Sequence, residues 1–479
     1  MIRKLVICAA VFALSAHASF AEPHDDLTGM INQALKQRCV NDGQTAVRVV
    51  DVNSGQTVYD RNGGVPLTPA SVMKLVTTAT ALYYLGVDYR FKTDILHTGR
   101  RDGGVIEGDL IVHGGGDPKL TPENIWRIAE ELKRQGITEV KGSLVADDTF
   151  FDGFHLPKGR GAKRTQKPYD APHGALSVNF NTIGLHLYPG EQAGERVRVE
   201  VEPKSDYIRV INESATSGKR RRPVGAFRMN GENGVVVKVT GAMRPSDAGG
   251  VIYVTIDDPL QFAAETFMAY FARAGIKIHG GIKKESAPQT AKTIYIHQSE
   301  PLPVILRELN RHSNNFIAEQ VLKTTAAEEG GAPGSDEYGL ALAAKMLKEL
   351  GVETGGLTMS DGSGLSKDNK LTARALTGLL SVMARRFDIG PDFISSLGIM
   401  GVDGTVRKRL KYSPAKAQAR AKTGTLNNTS ALSGYVAGRD NKLYAFAILQ
   451  NNNGCFHYGS HQIEDKIITA IYLSAENGR

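Results

Sequence analysis

The chain has 479 residues, 41% hydrophobic and 23% charged, a balance that excludes disorder and suits a globular protein of two or three domains. Its net charge of +8 is not interleaved with aromatic residues, which argues against a nucleic-acid partner. Twelve histidines and three cysteines show no metal-ligand spacing, so no metal or other cofactor is expected.

The first 21 residues read as a signal peptide: Met1-Ile2-Arg3-Lys4 is the charged start, Leu5 to Ala16 the apolar segment and Ser19-Phe20-Ala21 the cleavage site. His17 interrupts the run well short of the roughly 20 apolar residues a membrane anchor needs. An exported protein beginning near Glu22 is expected, free in the periplasm or held peripherally at a membrane.

Asp26 to Gln37 then reads as a helix, and Ala46–Val52 with Thr57–Asp60 as a hairpin around Asn53-Ser54-Gly55. Next comes Thr68-Pro69-Ala70-Ser71-Val72-Met73-Lys74-Leu75. Val72, Leu75, Val76, Ala79, Leu82 and Tyr83 recur at helical spacing up to Gly86, with Thr68 and Pro69 read as the cap and first turn. Ser71 and Lys74 therefore lie side by side near the unsatisfied N–H groups of a helix start, an arrangement that makes a serine nucleophilic. Chance alone supplies roughly one or two Ser-x-x-Lys tetrads in a chain this long. The second copy, Ser413 to Lys416, opens Ser-Pro in a basic segment without an apolar stripe and reads as a solvated loop.

From about Arg90 short strands and Gly-rich turns take over, with a helix from Pro122 to Arg134 and a strand near Ser143 to Ala146. His113-Gly114-Gly115-Gly116 reads as a turn, since the Gly-x-Ser-x-Gly elbow of a lipase is nowhere in the chain. β-rich sequence continues to about Val254. Helical periodicity returns at Gln261–Ala274 and from Ile305 onward, followed by strands at Ala431–Ala437 and Leu443–Gln450 and a last helix at His461–Leu473. Both ends look alike and the middle differs, which implies one domain built from both ends around a β-rich insertion. The expected division is 22–88 with 292–479, then 89–170 with 255–291, then 171–254. The clusters Lys158–Lys167 and Lys219-Arg220-Arg221-Arg222 read as solvated loops, with an anionic cell-wall or membrane surface as the functional alternative.

Lys74 accepts the Ser71 proton only as a neutral amine, so its pKa of about 10.4 has to be lowered by burial and a second cation. Lys422-Thr423-Gly424-Thr425 offers that cation, on an edge strand where it also suits a substrate carboxylate. Ser313-Asn314-Asn315 offers a hydroxyl and an amide two residues apart.

These three motifs in this order resemble the active-site serine penicillin-interacting enzymes. Arg311 to Glu319, Ser360-Asp361-Gly362-Ser363-Gly364-Leu365-Ser366, Gly404 to Arg409 and Ala421 to Thr425 sharpen the likeness to the class C penicillin-binding proteins, the D-alanyl-D-alanine carboxypeptidase/endopeptidase family. The long stretch between Ser71 and Ser313 is similar to that family's insertion and unlike β-lactamase spacing. The resemblance implies a multi-domain α/β fold: a penicillin-binding domain with an antiparallel sheet flanked by helices, interrupted by the insertion. It implies Ser71 as nucleophile, Lys74 as base, Ser313 as proton relay, Asn315 on the substrate amide, and Lys422 with Thr423 on the terminal carboxylate. Gly424 allows close approach, and the N–H groups of Ser71 and Thr425 would form the oxyanion hole. Peptidoglycan stem peptides and cross-links would be the substrates and β-lactams the inhibitors. Asp147, Phe151, Lys367 and Leu426 are expected to form a pocket for a diaminopimelate side chain, Lys367 standing where relatives often carry Arg. A β-lactamase-like or esterase-like hydrolase and a silent wall-binding protein are the competing readings. Cys39 and Cys455 flank strands expected to be antiparallel neighbours and are a candidate disulfide in an oxidising compartment.

Overall fold

The computed structural model describes residues 23–157, 165–218, 222–231 and 234–474. The expected signal peptide, Lys158–Arg164 and Lys219–Arg221 lie outside these residues. Among the described residues no helix is long and apolar enough to cross a membrane.

The two ends of the chain build one six-stranded antiparallel sheet in the order Gly398–Ile399, Ala419–Leu426, Thr429–Ala437, Leu443–Asn451, Thr45–Asp51, Thr57–Arg61. Alternation along Leu443–Asn451 explains how both faces are covered. Ala445, Ala447 and Leu449 face one core with the helices Lys74–Leu85 and Ala373–Arg385, while Phe446 and Ile448 face the other with Pro23–Leu35 and Phe456–Leu473. Small alanines let the Ala373–Arg385 helix lie close on the sheet; larger side chains fill the opposite layer. On that second side Glu464 is fully buried. Its Oε2 meets Arg409 Nη2 at 3.1 Å, and its Oε1 accepts from Ser430 Oγ at 2.7 Å and Gln450 Nε2 at 3.1 Å. Burial pushes the Glu464 carboxyl upward, and the Arg409 guanidinium opposes that shift.

Cys39 and Cys455 are joined by a disulfide, with Cα atoms 4.8 Å apart. The strand order explains it: Thr45 pairs with Gln450, so the segments beyond these residues leave the sheet at the same end. The closed loop holds most of the chain, for which a chain-entropy model gives about 5–6 kcal/mol as an upper figure.

The insertion contains a five-stranded sheet (Ile282–Lys284, Leu144–Asp147, Leu110–Gly114, Lys92–His97, Lys292–Gln298) and smaller sheets over residues 182–255. One continuous apolar core, from Ile95 to Ile276, runs through both inserted units. One expected boundary moves. Lys292–Gln298 pairs antiparallel with Lys92–His97, so it belongs to the insertion, and the chain re-enters the catalytic unit only at the Leu302–His312 helix. A second reading changes too: His113 and Gly114 end a strand rather than forming a turn, and the Gly116 N–H donates to the Ala175 carbonyl. A Cβ at Gly116, with φ +79°, would strike Thr324 Oγ1 and the Phe151 ring, so close packing accounts for that glycine.

Gly378 is different, being mid-helix in Ala373–Arg385 with only Val352 Cγ1, at 3.6 Å, within reach of an added Cβ. Gly378→Ala is expected to stabilise the protein by about 0.5–1 kcal/mol, read as a higher thermal midpoint.

Candidate active site

Ser71 lies in a tight 3-10 turn, Ala70–Met73, that feeds directly into the Lys74–Leu85 helix. Thr68 is not its cap. Thr68 is buried, with its N–H accepted by Asn451 Oδ1 at 2.8 Å and its Oγ1 taken by Lys370 Nζ at 2.7 Å. The turn starts instead at Ala70, which holds φ +47°, an unusual value for a side-chain-bearing residue directly before a nucleophile. Two glycines enclose this bend. A Cβ on Gly364 would lie 1.9 Å from the Ala70 carbonyl oxygen, and one on Gly424 2.6 Å from the Pro69 carbonyl oxygen. The Gly in Lys-Thr-Gly is thus required where the strand passes the Ser71 turn.

Lys74, fully buried, points its Nζ at three oxygens: Ser71 Oγ at 3.0 Å, Asn315 Oδ1 at 2.7 Å and the Ser363 carbonyl at 2.5 Å. Asn315 arrives through a local device. Ser313 ends the Leu302–His312 helix at φ +55°, and Asn314 caps the next helix, its Oδ1 accepting the Ile317 N–H at 3.1 Å. Asn315, the first residue of that helix, then faces Lys74. Its Nδ2 donates to the Tyr169 carbonyl at 3.1 Å, which fixes which side of the amide faces Lys74 Nζ. That bond engages part of the amide expected to hold substrate.

Lys422 is also fully buried, on the Ala419–Leu426 strand, and donates to Ser313 Oγ and to the Thr423 carbonyl, both at 2.8 Å. Thr423 Oγ1 meets Thr405 Oγ1 at 2.8 Å, tying in the Gly404–Val406 turn. Beyond Ala421 the strand is a sheet edge, with Thr425 exposed and Leu426 half-buried. Burial first, and the positive charge of Lys74 second, lower the Lys422 pKa well below its usual value. Between that lowered value and about 10.4 the unfolded chain binds the proton more readily, so stability rises with pH through this window and is least at its acid end. Lys422→Met is therefore expected to raise the thermal midpoint while lowering activity, with the pH dependence of stability reduced. A midpoint below wild type at neutral pH would contradict this.

The structure thus brings together Ser71, Lys74, Ser313, Asn315 and Lys422. It does not assemble the expected side-chain pocket. Asp147 is buried in the insertion, its Oδ1 accepting from Thr149 N and Oγ1 and its Oδ2 from Ala287 N, so it is turned away from any incoming ammonium. Phe151 is buried against Gly116, 5.5 Å from the Lys323 ammonium. Lys367 instead borders a polar cavity of about 510 Å³ with Thr68, Lys370 and Asn451, just past Leu426. The second tetrad is structural, Ser413 Oγ meeting Thr469 Oγ1 at 3.0 Å. No group of His, Cys, Asp or Glu among the described residues could hold a metal. Sequence reasoning missed Glu319, whose carboxylate accepts the N–H groups of Gly362 and Ser363 at 3.0 Å each. One signal was available: Glu319 stands one helical turn after Asn315, on the same face.

The chain is 33% identical over 448 residues to the D-alanyl-D-alanine carboxypeptidase of Actinomadura sp. (strain R39), covering 88% of this chain and 80% of that protein. In fold it is similar to penicillin binding protein 4 (dacB) from Haemophilus influenzae, with TM-score 0.79, 24% identity and coverage of 92% and 99%. It is also similar to a predatory peptidoglycan endopeptidase from Bdellovibrio bacteriovorus, with TM-score 0.52, 18% identity and coverage of 92% and 94%. Residues 27–470 match the D-Ala-D-Ala carboxypeptidase 3 (S13) family, and with a serine and a buried lysine paired in a split penicillin-binding fold, the chain belongs to that family.

Proposed function

We propose that this enzyme removes the terminal D-Ala from peptidoglycan stem peptides and cleaves D-Ala cross-links through an acyl-enzyme on Ser71. The observation that carries the reading is the convergence of Ser71 Oγ, Asn315 Oδ1 and Ser363 O on the buried Lys74 Nζ, with Lys422 and Ser313 paired beside them. Ser71 Oγ attacks the carbonyl of the penultimate D-Ala as Lys74 takes its proton. The Ser71 and Thr425 N–H groups stabilise the oxyanion, a contribution of about 3 kcal/mol per donor. Ser313 passes a proton to the leaving amine, while Lys422 and Thr423 hold the free carboxylate of the departing residue. Water then releases the shortened peptide. A β-lactam is an amide that acylates the same serine without expelling a leaving group.

The same machinery serves both reactions, because a cross-link also presents an amine beside a free carboxylate after D-Ala. Lys367 is suited to an anionic part of the peptide as a point charge. A leading segment with signal-peptide features supports action in the periplasm. The test is incubation with a defined pentapeptide and with cross-linked muropeptides, alongside labelled penicillin. Release of D-Ala, cleavage of dimers and a persistent covalent label are expected. Rapid penicillin turnover without peptide cleavage would favour a β-lactamase instead.

A further inference from the structure

Glu319 is 2% exposed on the Asn315–Gly330 helix and grips two successive peptide units of another segment. Its Oε2 accepts the Gly362 N–H and its Oε1 the Ser363 N–H, both at 3.0 Å. From the other side Thr77 Oγ1 donates to the Gly362 carbonyl at 2.6 Å. A second buried carboxylate, Asp361, continues the grip, its oxygens accepting from the N–H groups of Gly364 and Ser366 at 2.6 Å each and from Asn369 Nδ2 at 2.9 Å. The 361–369 loop is thus held on carboxylates, and its Ser363 carbonyl comes to face Lys74 Nζ.

The chemistry at Lys74 gives that carbonyl a task. A neutral amine has two N–H bonds and one lone pair. The oxygen atoms of Asn315 Oδ1 and the Ser363 carbonyl can only accept, so each takes one N–H. The remaining tetrahedral direction points at Ser71 Oγ and carries the lone pair. Were the Ser363 carbonyl to turn away, an N–H would compete for that direction, and the amine would donate to Ser71 rather than accept from it.

We propose that Glu319 is a positioning residue for proton transfer: by fixing the Ser363 carbonyl it aims the Lys74 lone pair at Ser71. The proposal rests on the reading of Ser71 as nucleophile and Lys74 as base. In the transfer itself the Ser71 O–H bond breaks, the Oγ electrons form the acyl bond, and Lys74 becomes an ammonium donating to three oxygens. Glu319→Gln is nearly isosteric but sets an NH₂ against one of the two peptide N–H groups, so the loop has to shift.

The experiment measures the second-order rate constant for penicillin acylation per titratable site, across pH, in Glu319→Gln, Thr77→Val and Lys74→Ala. Titrating sites separates a lower rate from a lower folded fraction. Glu319→Gln is expected to fall by about tenfold or more with a displaced pH profile, and Thr77→Val to show the same displacement in milder form. If Glu319→Gln yields no folded protein, Thr77→Val, which leaves the carboxylate in place, decides the matter alone. A wild-type rate per site and a wild-type pH profile in the folded variants, with Lys74→Ala inactive, would overturn the proposal alone. Wild-type acylation in Lys74→Ala would overturn the underlying assignment of the base.

Discussion

Ser71→Ala is expected to abolish both D-Ala release and covalent penicillin labelling, a loss on the order of 10⁴–10⁶-fold, with the fold intact. Ser71 is half-buried in its turn, and removing one oxygen opens no sizeable cavity. Lys74 keeps Asn315 Oδ1 and the Ser363 carbonyl as partners, so no buried charge is stranded. Labelling in a gel, with a thermal melt beside it, checks both halves. The matching control is Ser413→Ala, which removes a contact with Thr469 Oγ1 and the acceptor of the Ala415 N–H, both remote from Ser71, and should label as the wild type does. Loss of labelling in Ser413→Ala with retention in Ser71→Ala would reverse the choice of tetrad.

Gly364→Ala is the second large effect, and it touches no reacting atom. Gly364 holds φ +79°, which strains any L side chain, and the added Cβ would sit 1.9 Å from the Ala70 carbonyl oxygen, far inside contact distance. Backbone has to move. The carbonyl concerned belongs to the residue whose left-handed φ sets up the Ser71 turn, and Gly364 is flanked by the Ser363 carbonyl that meets Lys74. A shift of about 1 Å at such a point is enough for a loss near 100-fold in acylation. A lowered thermal midpoint, by about 1–3 kcal/mol of stability, should accompany it. Gly362→Ala is the comparison, since its Cβ would approach neighbours no closer than 3.1 Å. Equal acylation rates in the two variants would show that the Ala70–Gly364 contact does not govern the nucleophile.

The chain order of elements was legible because local rules decided it. Thr121 and Pro122 at the start and basic residues in the last turn bound the Pro122–Arg134 helix, whose Ile125, Ile128, Ala129 and Leu132 are buried. The Thr429–Ala437 and Leu443–Asn451 strands were legible as apolar runs because both faces of their sheet are covered. The strand from Ala419 was harder to see, since it mixes buried lysine and alanine with exposed Thr425. The five polar groups at the site could be named from spacing and resemblance, but their support could not. Glu319 grips main-chain N–H groups 43 and 44 residues away, and main-chain partners leave no trace in residue identity. Asp147 failed for the opposite reason: its residue type suited a ligand, while the turn after its strand and Ala287 claim both its oxygens.

The sheet that holds Lys422 also dictates when activity can begin. Thr45–Asp51 finds its inner neighbour only in Leu443–Asn451, near the other terminus, and Cys39 waits for Cys455. The insertion completes its own sheets once Lys292–Gln298 has emerged, before Ser313, Asn315 or Lys422 exists as folded chain. A polypeptide released or stalled at any earlier length carries Ser71 without its partners. Completion of the chain thus acts as the timer: the site is assembled only when the last strand and helix have joined the sheet, after which the disulfide locks the first and last segments together.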